Sequence, residues 1–472
     1  MIDTAKIKAN ILSCAFKGML VDFNVEKSNK ALDELHKENK KYVPVKEDEY
    51  LTEVPSRWQW SRLGYVTNNH GQKEPQEDFC YIDVGTLDNI NHCLAKKENL
   101  VNKEEAPSRA RKIVEQGDVL YSTVRPYLHN ICIINKDFSR MPVASTAFCV
   151  MAVEEKVLIN KYLFYWLLSP EFDKFSNGNP SKGTLYPAIG EKDLLNGVIP
   201  IPDIEEQKLI VEKLDSAFEH LDKLNRLQIL YTSDLEVLKS KIIDAGIQGK
   251  LTEQLPEDGT AEELLEQIEI QKNTILKNRK GRVDKKIKAI DGDFPYEIPS
   301  HWKWIRFGNI GLFKKGPFGS ALTKSMFVPK GENTVKVYEQ QHAINKDNTL
   351  GTYYITREYF DDSMSGFEVL PGDIIVSCAG TIGETYIMPD DIEQGIINQA
   401  LMRVTLAEGV NRKFFQYYFD ANLKKSAQNE SNGSAIKNIP PFDVMKNWYF
   451  PIPPLEEQER IVEKIENILT LL

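Results

Sequence analysis

Basic, hydroxyl and aromatic side chains in turns are the residues of this sequence whose chemistry is most informative. Lysine and arginine neutralise phosphates, and arginine also contacts the edges of bases. Several of these residues stand beside glycine, as Lys182 does beside Gly183 and Lys315 beside Gly316. An ordinary solvated side chain is the alternative for each of them. The candidates for binding a nucleic acid are Arg125, Lys182, Tyr186, Lys314, Lys315, Thr381 and Lys437.

Motifs for catalysis are missing from the sequence. It contains neither a GxxxxGK[ST] phosphate loop nor an HExxH metal motif, and its seven histidines have no ligand spacing. NIPPFD at 438–443 differs from the Asn-Pro-Pro-aromatic motif of amino-methyltransferases through Ile439, and we interpret it as a turn. Asp203, Glu206 and Lys208 belong to a helix start, where Asp203 and Glu206 have capping-box spacing. We therefore predict no catalytic residue, no metal and no cofactor.

Charge and cysteine content limit the class of protein. The net charge of −10 argues against a chain coated by nucleic acid, unless acidic helices mask basic faces on separate domains. Six cysteines without a CxxC pair favour a reducing compartment. No apolar run is long enough for a membrane span, and Asp3, Lys6 and Lys8 interrupt the start of the chain. We expect a soluble, cytoplasmic protein without a membrane partner.

An internal repeat of about 245 residues organises the chain. VPSRWQWSRLG at 54–64 recurs as IPSHWKWIRFG at 298–308, and Gly117-Asp118 matches Gly372-Asp373. PIPDIEEQKLIVEKL at 200–214 and PIPPLEEQERIVEKI at 451–465 share 10 of 15 positions. Residues 7–21 also resemble 238–252, with Gly18 on Gly249, so the start of the chain completes the second repeat. This circular arrangement requires neighbouring chain ends.

Each repeat combines one globular domain with one long helix. Alternating apolar segments separated by turn signals predict strands with a few helices, which is an α+β domain. The fold predicted is two α+β domains separated by a long antiparallel coiled coil, related by a pseudo-twofold axis. The predicted parts are an N-terminal helical segment (1–43), the first domain (44–203), the central helix with a linker (204–287), the second domain (288–454) and the C-terminal helix (455–472).

The central helix has the spacing of a coiled-coil seam. From about 205 to 246 it would be about 63 Å long, and residues near 456–472 and 3–17 would supply its split partner. Gln228 either fixes the register or lies in a solvated gap. The positions of the seam are Ile210, Leu214, Ala217, Leu221, Leu224, Gln228, Tyr231, Leu235, Leu238, Ile242 and Ala245.

Matching loops of the two repeats differ in sequence. Arg125 follows the strand-like segment DVLYSTV, whereas GTIG at 380–383 follows DIIVSCA at the same place. Such loops are typical of two domains that recognise different targets. Arg125 either contacts a base or anchors the turn before Pro126. The repeated W-x-W pairs favour core packing over base stacking, and the basic run at 277–288 is either a linker or a phosphate contact.

Almost the whole chain resembles the specificity subunit of type I restriction-modification systems. The resemblance rests on the P-x-W-x-W start of each domain, the G-D-[IV]-[IL] strand followed by RPYL or GTIG, and the PIPxxEEQxxIVEK helix start. Ser-x-Gly-[Thr/Ser] turns at Ser181 and Ser431 add to it. The early end of the second helix at Leu472 departs from the family pattern.

The resemblance implies a non-catalytic subunit that serves host defence by recognising a bipartite double-stranded DNA target. Two methyltransferase subunits would dock on the helices and modify adenine, and restriction subunits would translocate and cleave DNA. Glu212 and Glu463, on the two EEQxxIVEK helices, are the docking candidates. A protein-binding scaffold and a single-chain DNA methyltransferase are the alternatives; salt-dependent DNA binding would separate the first from our interpretation. The sequence does not specify the target or its spacer length.

Overall fold

The computed structural model describes residues 1–23, 27–178, 187–279, 287–430 and 439–472. The chain forms two compact units, Met1–Leu230 and Tyr231–Leu472, which we call unit 1 and unit 2. The division falls within one long helix. Within the described residues no helix has the length and apolar character needed to cross a membrane.

Unit 1 combines short strands with helices at both of its chain ends. Its helices are α1 (Thr4–Phe16), α2 (Lys30–Glu38), α3 (Leu63–Val66), α4 (Asn160–Leu167), α5 (Pro170–Gly178), α6 (Glu191–Leu195) and the first part of α7 (Ile204–Ile247). Its strands are β1 (Gln59–Arg62), β2 (Thr67–Asn68), β3 (Phe79–Ile82), β4 (Leu87–Asp88), β5 (Cys93–Leu94), β6 (Leu100–Val101), β7 (Ala110–Ile113), β8 (Val119–Ser122), β9 (Ile131–Ile133), β10 (Pro142–Ser145), β11 (Phe148–Val153) and β12 (Val198–Ile201).

Unit 2 contains the rest of α7 and a second set of elements. Its helices are α8 (Ala261–Asn278), α9 (Gln340–Asn345), α10 (Arg357–Tyr359), α11 (Arg412–Glu430), α12 (Phe442–Met445) and α13 (Leu455–Thr470). Its strands are β13 (Lys303–Arg306), β14 (Gly311–Lys315), β15 (Thr334–Tyr338), β16 (Tyr354–Thr356), β17 (Glu368–Val369), β18 (Ile374–Ser377), β19 (Thr385–Ile387), β20 (Gly395–Ile397), β21 (Leu401–Leu406) and β22 (Tyr449–Ile452).

The sheets of the two units have the same topology. In unit 1 the orders are β6-β3-β10-β7 and β2-β11-β8-β9, and in unit 2 they are β16-β15-β20-β17 and β14-β21-β18-β19. In each unit one pair is parallel, β3 with β10 and β15 with β20. An antiparallel ribbon, β1 with β12 or β13 with β22, joins the start of each domain to its end. The prediction of two α+β domains built on a repeat and joined by a long helix is confirmed.

The central strands of these sheets explain why the repeat keeps its apolar segments. Val119–Ser122 and Ile374–Ser377 are buried at every position, as expected of strands covered on both faces. The tryptophans at the start of each domain belong to the cores: Trp58 and Trp60 are buried in unit 1, and Trp302 is buried in unit 2. The core interpretation is therefore confirmed for these three rings, whereas Trp304 is only partly buried.

Each half of α7 lies antiparallel to a terminal helix of its own unit. In unit 1 the Lys8 Nζ lies 2.5 Å from Asp222 Oδ1, and the Gln228 amide bonds both backbone groups of Ile2. This contact supports the register role of Gln228. In unit 2, a Cβ at Gly246 would clash with Ile465 and crowd Ile461 of α13, so the two helices pack closely there.

The predicted seam is buried at the start of α7, partly buried along most of the helix, and exposed at two positions. Ile210 and Leu214 are fully buried in unit 1, whereas Tyr231 is 63% exposed and Leu238 is also exposed. The prediction of an unbroken seam is therefore wrong for these two positions. Apolar periodicity predicts the phase of a seam, but burial also requires a packing partner, and among the described residues none covers these two side chains.

The EEQ residues hold each long helix to its domain. In unit 1, Gln207 Nε2 donates to Val157 O (2.8 Å) and Pro202 O (3.1 Å), and its Oε1 accepts from Ile159 N–H (2.9 Å). In unit 2, Gln458 makes the equivalent three bonds, to Gly409 O, Pro453 O and Asn411 N–H. A buried amide that satisfies three backbone groups fixes the helix start.

The neighbouring glutamates are buried in ion pairs or hydrogen bonds. Glu206 bonds Arg57 through both carboxylate oxygens, and Glu457 accepts from Trp302 Nε1 (2.8 Å). The capping box predicted for Asp203 and Glu206 is therefore wrong. Asp203 does cap the helix, by accepting from Glu205 N–H (3.0 Å), but Glu206 turns into the domain because an arginine is available there.

Candidate nucleic-acid interface

The loops that follow the two central strands have the same backbone hydrogen bonds. In unit 1, Thr123 N–H donates to Ala147 O (2.8 Å), and Ile189 N–H donates to Thr123 O (2.9 Å). In unit 2, Cys378 N–H donates to Ala400 O (2.8 Å), and Ile439 N–H donates to Cys378 O (3.2 Å). Three corresponding segments therefore meet at one end of a sheet in each unit. They contain Thr123, Ala147 and Ile189 in unit 1, and Cys378, Ala400 and Ile439 in unit 2.

We call this end of the sheet the loop edge. In unit 1 the loop edge consists of residues 89–92, 123–129 and 187–189. In unit 2 it consists of residues 314–319, 340–346, 378–384 and 439. In each unit, Gly-Asp precedes the central strand: the Asp118 and Asp373 carboxylates accept from Glu115 N–H (2.7 Å) and Leu370 N–H (2.8 Å), respectively.

Arg125 lies at the centre of the loop edge of unit 1. Its backbone is left-handed (φ 51°, ψ 61°), its N–H donates to Pro187 O (2.8 Å), and its C=O accepts from Leu128 N–H (2.9 Å). Pro126 begins a short 3-10 turn. The turn is therefore held by backbone bonds that do not depend on the identity of the residue at position 125.

The β4–β5 hairpin adds residues 89–92 to this edge. Asn89 Nδ2 donates to Leu128 O (2.9 Å), and the His129 ring lies 2.5 Å from Asp173 Oδ1. Burial lowers the pKa of His92, and the neighbouring His129 lowers it further. Because the neutral imidazole is favoured, His92 is not a cation for phosphate at neutral pH.

Thr381 occupies the corresponding loop of unit 2 and is exposed. Ser377 Oγ donates to Thr381 O (2.6 Å), and Gly380 and Gly383 on either side adopt positive φ. A Cβ at Gly383 would clash with Leu423. The GTIG spacing therefore satisfies a steric requirement of the loop, and it presents Thr381 to solvent.

Lys314 and Lys315 reach the same edge along β14. β14 pairs with β21, and Gly316 N–H donates to Leu401 O (2.9 Å), one residue from Ala400, which bonds Cys378. Both lysines are exposed, and Lys314 Nζ lies 4.7 Å from the centre of the Phe367 ring. The structure therefore brings Lys314, Lys315 and Thr381 to one loop edge.

Three candidates of the sequence analysis, Lys182, Tyr186 and Lys437, lie outside the described residues, as do the turns at Ser181 and Ser431. Pro187 and Ile439, which follow these segments, lie at the loop edges through the hydrogen bonds to Arg125 and Cys378.

Left-handed backbone at residues other than glycine marks the same edges. Among the described residues this conformation occurs at His92, Arg125, His129 and Lys346, and all four lie in the loop edges. Each costs an L-residue about 1–2 kcal/mol, and residues with such strained backbone cluster at functional sites. Lys346 is tied to the edge of unit 2 by an ion pair of its Nζ with Glu384 (2.7 Å). These conformations could not be predicted from the sequence, because no residue pattern specifies them.

Local charge at the edges differs from the average of the chain. Residues 298–331, which include β14 and the loop after it, contain six lysines or arginines and no acidic residue. Residues 119–136 contain Arg125 and Lys136 and no acidic residue. The net charge of −10 concealed this pattern, although a count over short windows of the sequence would have found it. Phosphate binding requires such positive stretches.

Catalytic groups are not assembled at either edge. Burial raises the pKa of the Cys378 thiol to about 11, so the nucleophilic thiolate is scarce at neutral pH. Across the part of the chain that the structure describes, no group of three or more histidine, cysteine or acidic side chains could hold a metal ion. Arg279, in the basic run at 277–288, bonds the Asp373 carboxylate (2.9 Å) and is therefore a structural residue.

The docking candidates lie away from the loop edges. Glu212 is exposed on α7, two residues from the buried Leu214, and Glu463 is exposed on α13, two residues from the buried Ile465. Since residues two apart on a helix face different directions, both carboxylates point away from the cores of their units.

Comparisons with known proteins agree with this geometry. The family described as type I restriction modification DNA specificity domain matches residues 55–231 and 319–471. The specificity subunits of the type I restriction enzymes EcoAI and EcoEI from Escherichia coli are 21% and 20% identical to this chain. Each match covers 98% of this chain and 88% of the relative.

Two solved structures have the same fold. One, from work on complex assembly and conformational transition of the type I R-M system, gives a TM-score of 0.65 at 22% identity and covers 89% of this chain and 92% of that chain. The other is the HsdS subunit from Thermoanaerobacter tengcongensis, with a TM-score of 0.50 at 24% identity, covering 89% of this chain and 91% of that chain.

Proposed function

The chain belongs to the family of type I restriction-modification specificity subunits, and we propose that each of its two units reads one half of a bipartite duplex target. The protein supplies the DNA sequence specificity of a restriction-modification complex. We place the two target recognition domains at 44–203 and 288–454, with the central helix and linker between them. Catalysis then belongs to the partner subunits.

The proposal rests on one observation: the two loop edges share the same backbone hydrogen bonds but carry different side chains. Thr123 and Cys378 make equivalent hydrogen bonds, yet Arg125 in one unit corresponds to Gly380 in the other. The framework shared by the two units fixes the position of the loops, and the differing side chains supply different contacts. Two domains that read different half-sites require both properties.

We assign the candidate residues two kinds of contact. Arg125 suits a base edge, because a guanidinium can donate two hydrogen bonds to guanine. Lys314 and Lys315 suit the phosphates of the other half-site, where they fix the orientation of the duplex. Thr381 offers a hydroxyl to a base or a phosphate. The sequence alone adds three further candidates for contacts with DNA, namely Lys182, Tyr186 and Lys437.

Methyltransferase subunits are the proposed partners at the helices. The repeated EEQxxIVEK segments place Glu212 and Glu463 at equivalent positions of two helices. Two equivalent surfaces support two methyltransferase subunits per chain, which modify adenine in the target. Restriction subunits join this assembly to translocate and cleave DNA.

The test is to sequence adenine methylation in cells that carry this chain and its methyltransferase. The expected result is a methylated sequence of two short half-sites separated by unread base pairs. Replacing residues 44–200 with the corresponding domain of a relative should change one half-site and preserve the other half-site and the spacer. A single continuous methylated sequence, or a change of both half-sites in the chimera, would contradict the proposal.

A further inference from the structure

Each loop edge carries one large apolar side chain that is almost completely exposed. Ile90 in unit 1 is 84% exposed, and Phe318 in unit 2 is 89% exposed. Among the described residues, apart from Met1 and Leu471 near the chain ends, these are the most exposed large apolar side chains. Single exposed apolar side chains are common on protein surfaces, so exposure alone identifies no site. What distinguishes Ile90 and Phe318 is that each lies on a constrained turn of a loop edge and outside the core of its unit.

The turn that holds Phe318 is fixed by its neighbours. Gly316 lies so close to the backbone of Asn398 that a Cβ there would clash, and Pro317 is buried. Ala321 N–H donates to Phe318 O (2.8 Å), which closes the short 3-10 turn that follows. The ring therefore projects from a constrained loop, with Lys315 three residues before it.

The turn that holds Ile90 is fixed by different contacts. Asp88 Oδ1 accepts from the N–H groups of Ile90 (2.9 Å) and Asn91 (3.0 Å), and Asn91 Nδ2 donates to Asp88 Oδ2 (2.7 Å). Asn89 ties the hairpin to the turn that begins at Arg125, through Leu128 O. Ile90 is therefore held at the tip of the hairpin, beside the proposed base contact.

The surroundings select the class of ligand that would cover these side chains. Phe318 lies within the stretch of 34 residues, 298–331, that has six basic and no acidic side chains. Ile90 lies beside the Arg125 turn; the Asp88 carboxylate next to it is engaged by the backbone of the hairpin, and Lys96 and Lys97 follow along the chain. Double-stranded DNA offers phosphates to the cations and base faces to the apolar groups. Apolar wedges that enter between base steps, partly unstack them and kink the duplex are an established mode of protein–DNA binding.

We propose that Ile90 and Phe318 are apolar wedges, one for each half-site, that insert at a base step and deform the duplex there. This proposal rests on the proposed function, because it assumes that the loop edges face DNA. It adds a specificity mechanism beyond direct base contacts. The energy needed to unstack a step depends on its sequence, and pyrimidine–purine steps unstack most easily. Each wedge therefore selects a deformable step in its half-site.

The experiment uses the full chain assembled with its methyltransferase and a duplex bearing the methylated sequence. 2-Aminopurine is placed at one position of the two half-sites at a time, because its fluorescence rises on unstacking. We expect enhanced fluorescence at one step in each half-site. Phe318→Ala should abolish the signal in one half-site and weaken binding about 10-fold, and Ile90→Ala should do so in the other. Phe318→Leu should retain part of the signal.

Salt titrations and control variants separate a wedge from other roles. The slope of log K against log salt should stay unchanged in Phe318→Ala, because no phosphate contact is lost. Ile270→Ala and Met19→Ala remove exposed apolar side chains outside the loop edges and should have no effect. The midpoint temperature of thermal unfolding should be the same for every variant as for the original chain, since these side chains are exposed.

Two results would overturn the wedge proposal. Unchanged DNA affinity and fluorescence in both alanine variants would remove the wedges from the mechanism. Loss of assembly with the methyltransferase in native mass spectrometry, at unchanged DNA binding, would assign Ile90 and Phe318 to a protein interface. Failure of the proposed function is distinguishable, because the unsubstituted complex would then show no preference for the methylated sequence.

Discussion

Replacing Arg125 by glycine separates its role in binding from its role in folding. The residue has φ 51° and ψ 61°, a conformation that costs an L-residue about 1–2 kcal/mol and costs glycine almost nothing. The greater freedom of glycine in the unfolded chain offsets about 0.5–1 kcal/mol of that gain. The backbone bonds to Pro187 and Leu128 do not need a side chain. We therefore expect the free energy of unfolding to rise by between 0 and about 1.5 kcal/mol.

DNA binding should respond differently to the same substitution. A base-contacting arginine contributes about 1–3 kcal/mol, so Arg125→Gly should weaken binding to the target by about 5- to 150-fold. It should also relax one position of one half-site. Arg125→Ala should show the same loss of affinity while keeping the left-handed strain. Lys40→Ala, an exposed lysine outside the loop edges, is the control for a general loss of positive charge.

The measurements are chemical denaturation of the chain, fluorescence anisotropy of the assembled complex on its target, and sequencing of methylated adenines. A loss of more than 2 kcal/mol of stability in Arg125→Gly would show that the side chain anchors the turn before Pro126. Equal weakening on all sequences would assign Arg125 to a phosphate. Unchanged affinity and methylation would remove it from the site.

Three further predictions concern the framework. Gln207→Ala removes three buried hydrogen bonds and should lower the free energy of unfolding by about 2–4 kcal/mol in denaturation experiments, whereas Lys208→Ala beside it should be nearly neutral. Reversing the charge at Glu212 and Glu463 should weaken methyltransferase assembly without changing the methylated sequence; native mass spectrometry showing one methyltransferase per chain at saturation would contradict two docking surfaces. Inserting four residues after Lys223 lengthens α7 by about 6 Å and should change the spacer in methylation sequencing, with both half-sites preserved.

Duplication made much of the fold predictable from the sequence. Motifs that occur twice with the same order identify framework positions, so the two domains, the long helix and the buried tryptophans could be predicted. The hydrogen bonds and ion pairs that the EEQ residues make with their domains could not be predicted. Its charged residues have the pattern of a helix start, and only the tertiary structure provides the Arg57 partner that draws Glu206 inward.

The candidate site was predictable in position and only partly in composition. Arg125 and Thr381 were found because they follow matching strands, and Lys314 and Lys315 because they precede glycine. Ile90 was missed because a single isoleucine in a turn carries no periodic signal. Lys346 was missed because its left-handed backbone depends on the end of α9 and on its ion pair with Glu384.

The buried amides at the two helix starts also bear on how such a protein changes. Gln207 and Gln458 satisfy backbone groups of their own domains and lie outside the loop edges that face the proposed ligand. The residues that stabilise each domain, such as these glutamines, are therefore different from the loop-edge residues proposed to choose the target. Substitutions of exposed loop-edge side chains such as Thr381 leave these amide hydrogen bonds in place, whereas Gly316 and Gly383 of the same edges are sterically required. Such proteins can therefore acquire new targets through substitutions that change the free energy of unfolding little, so that every variant along the way stays folded.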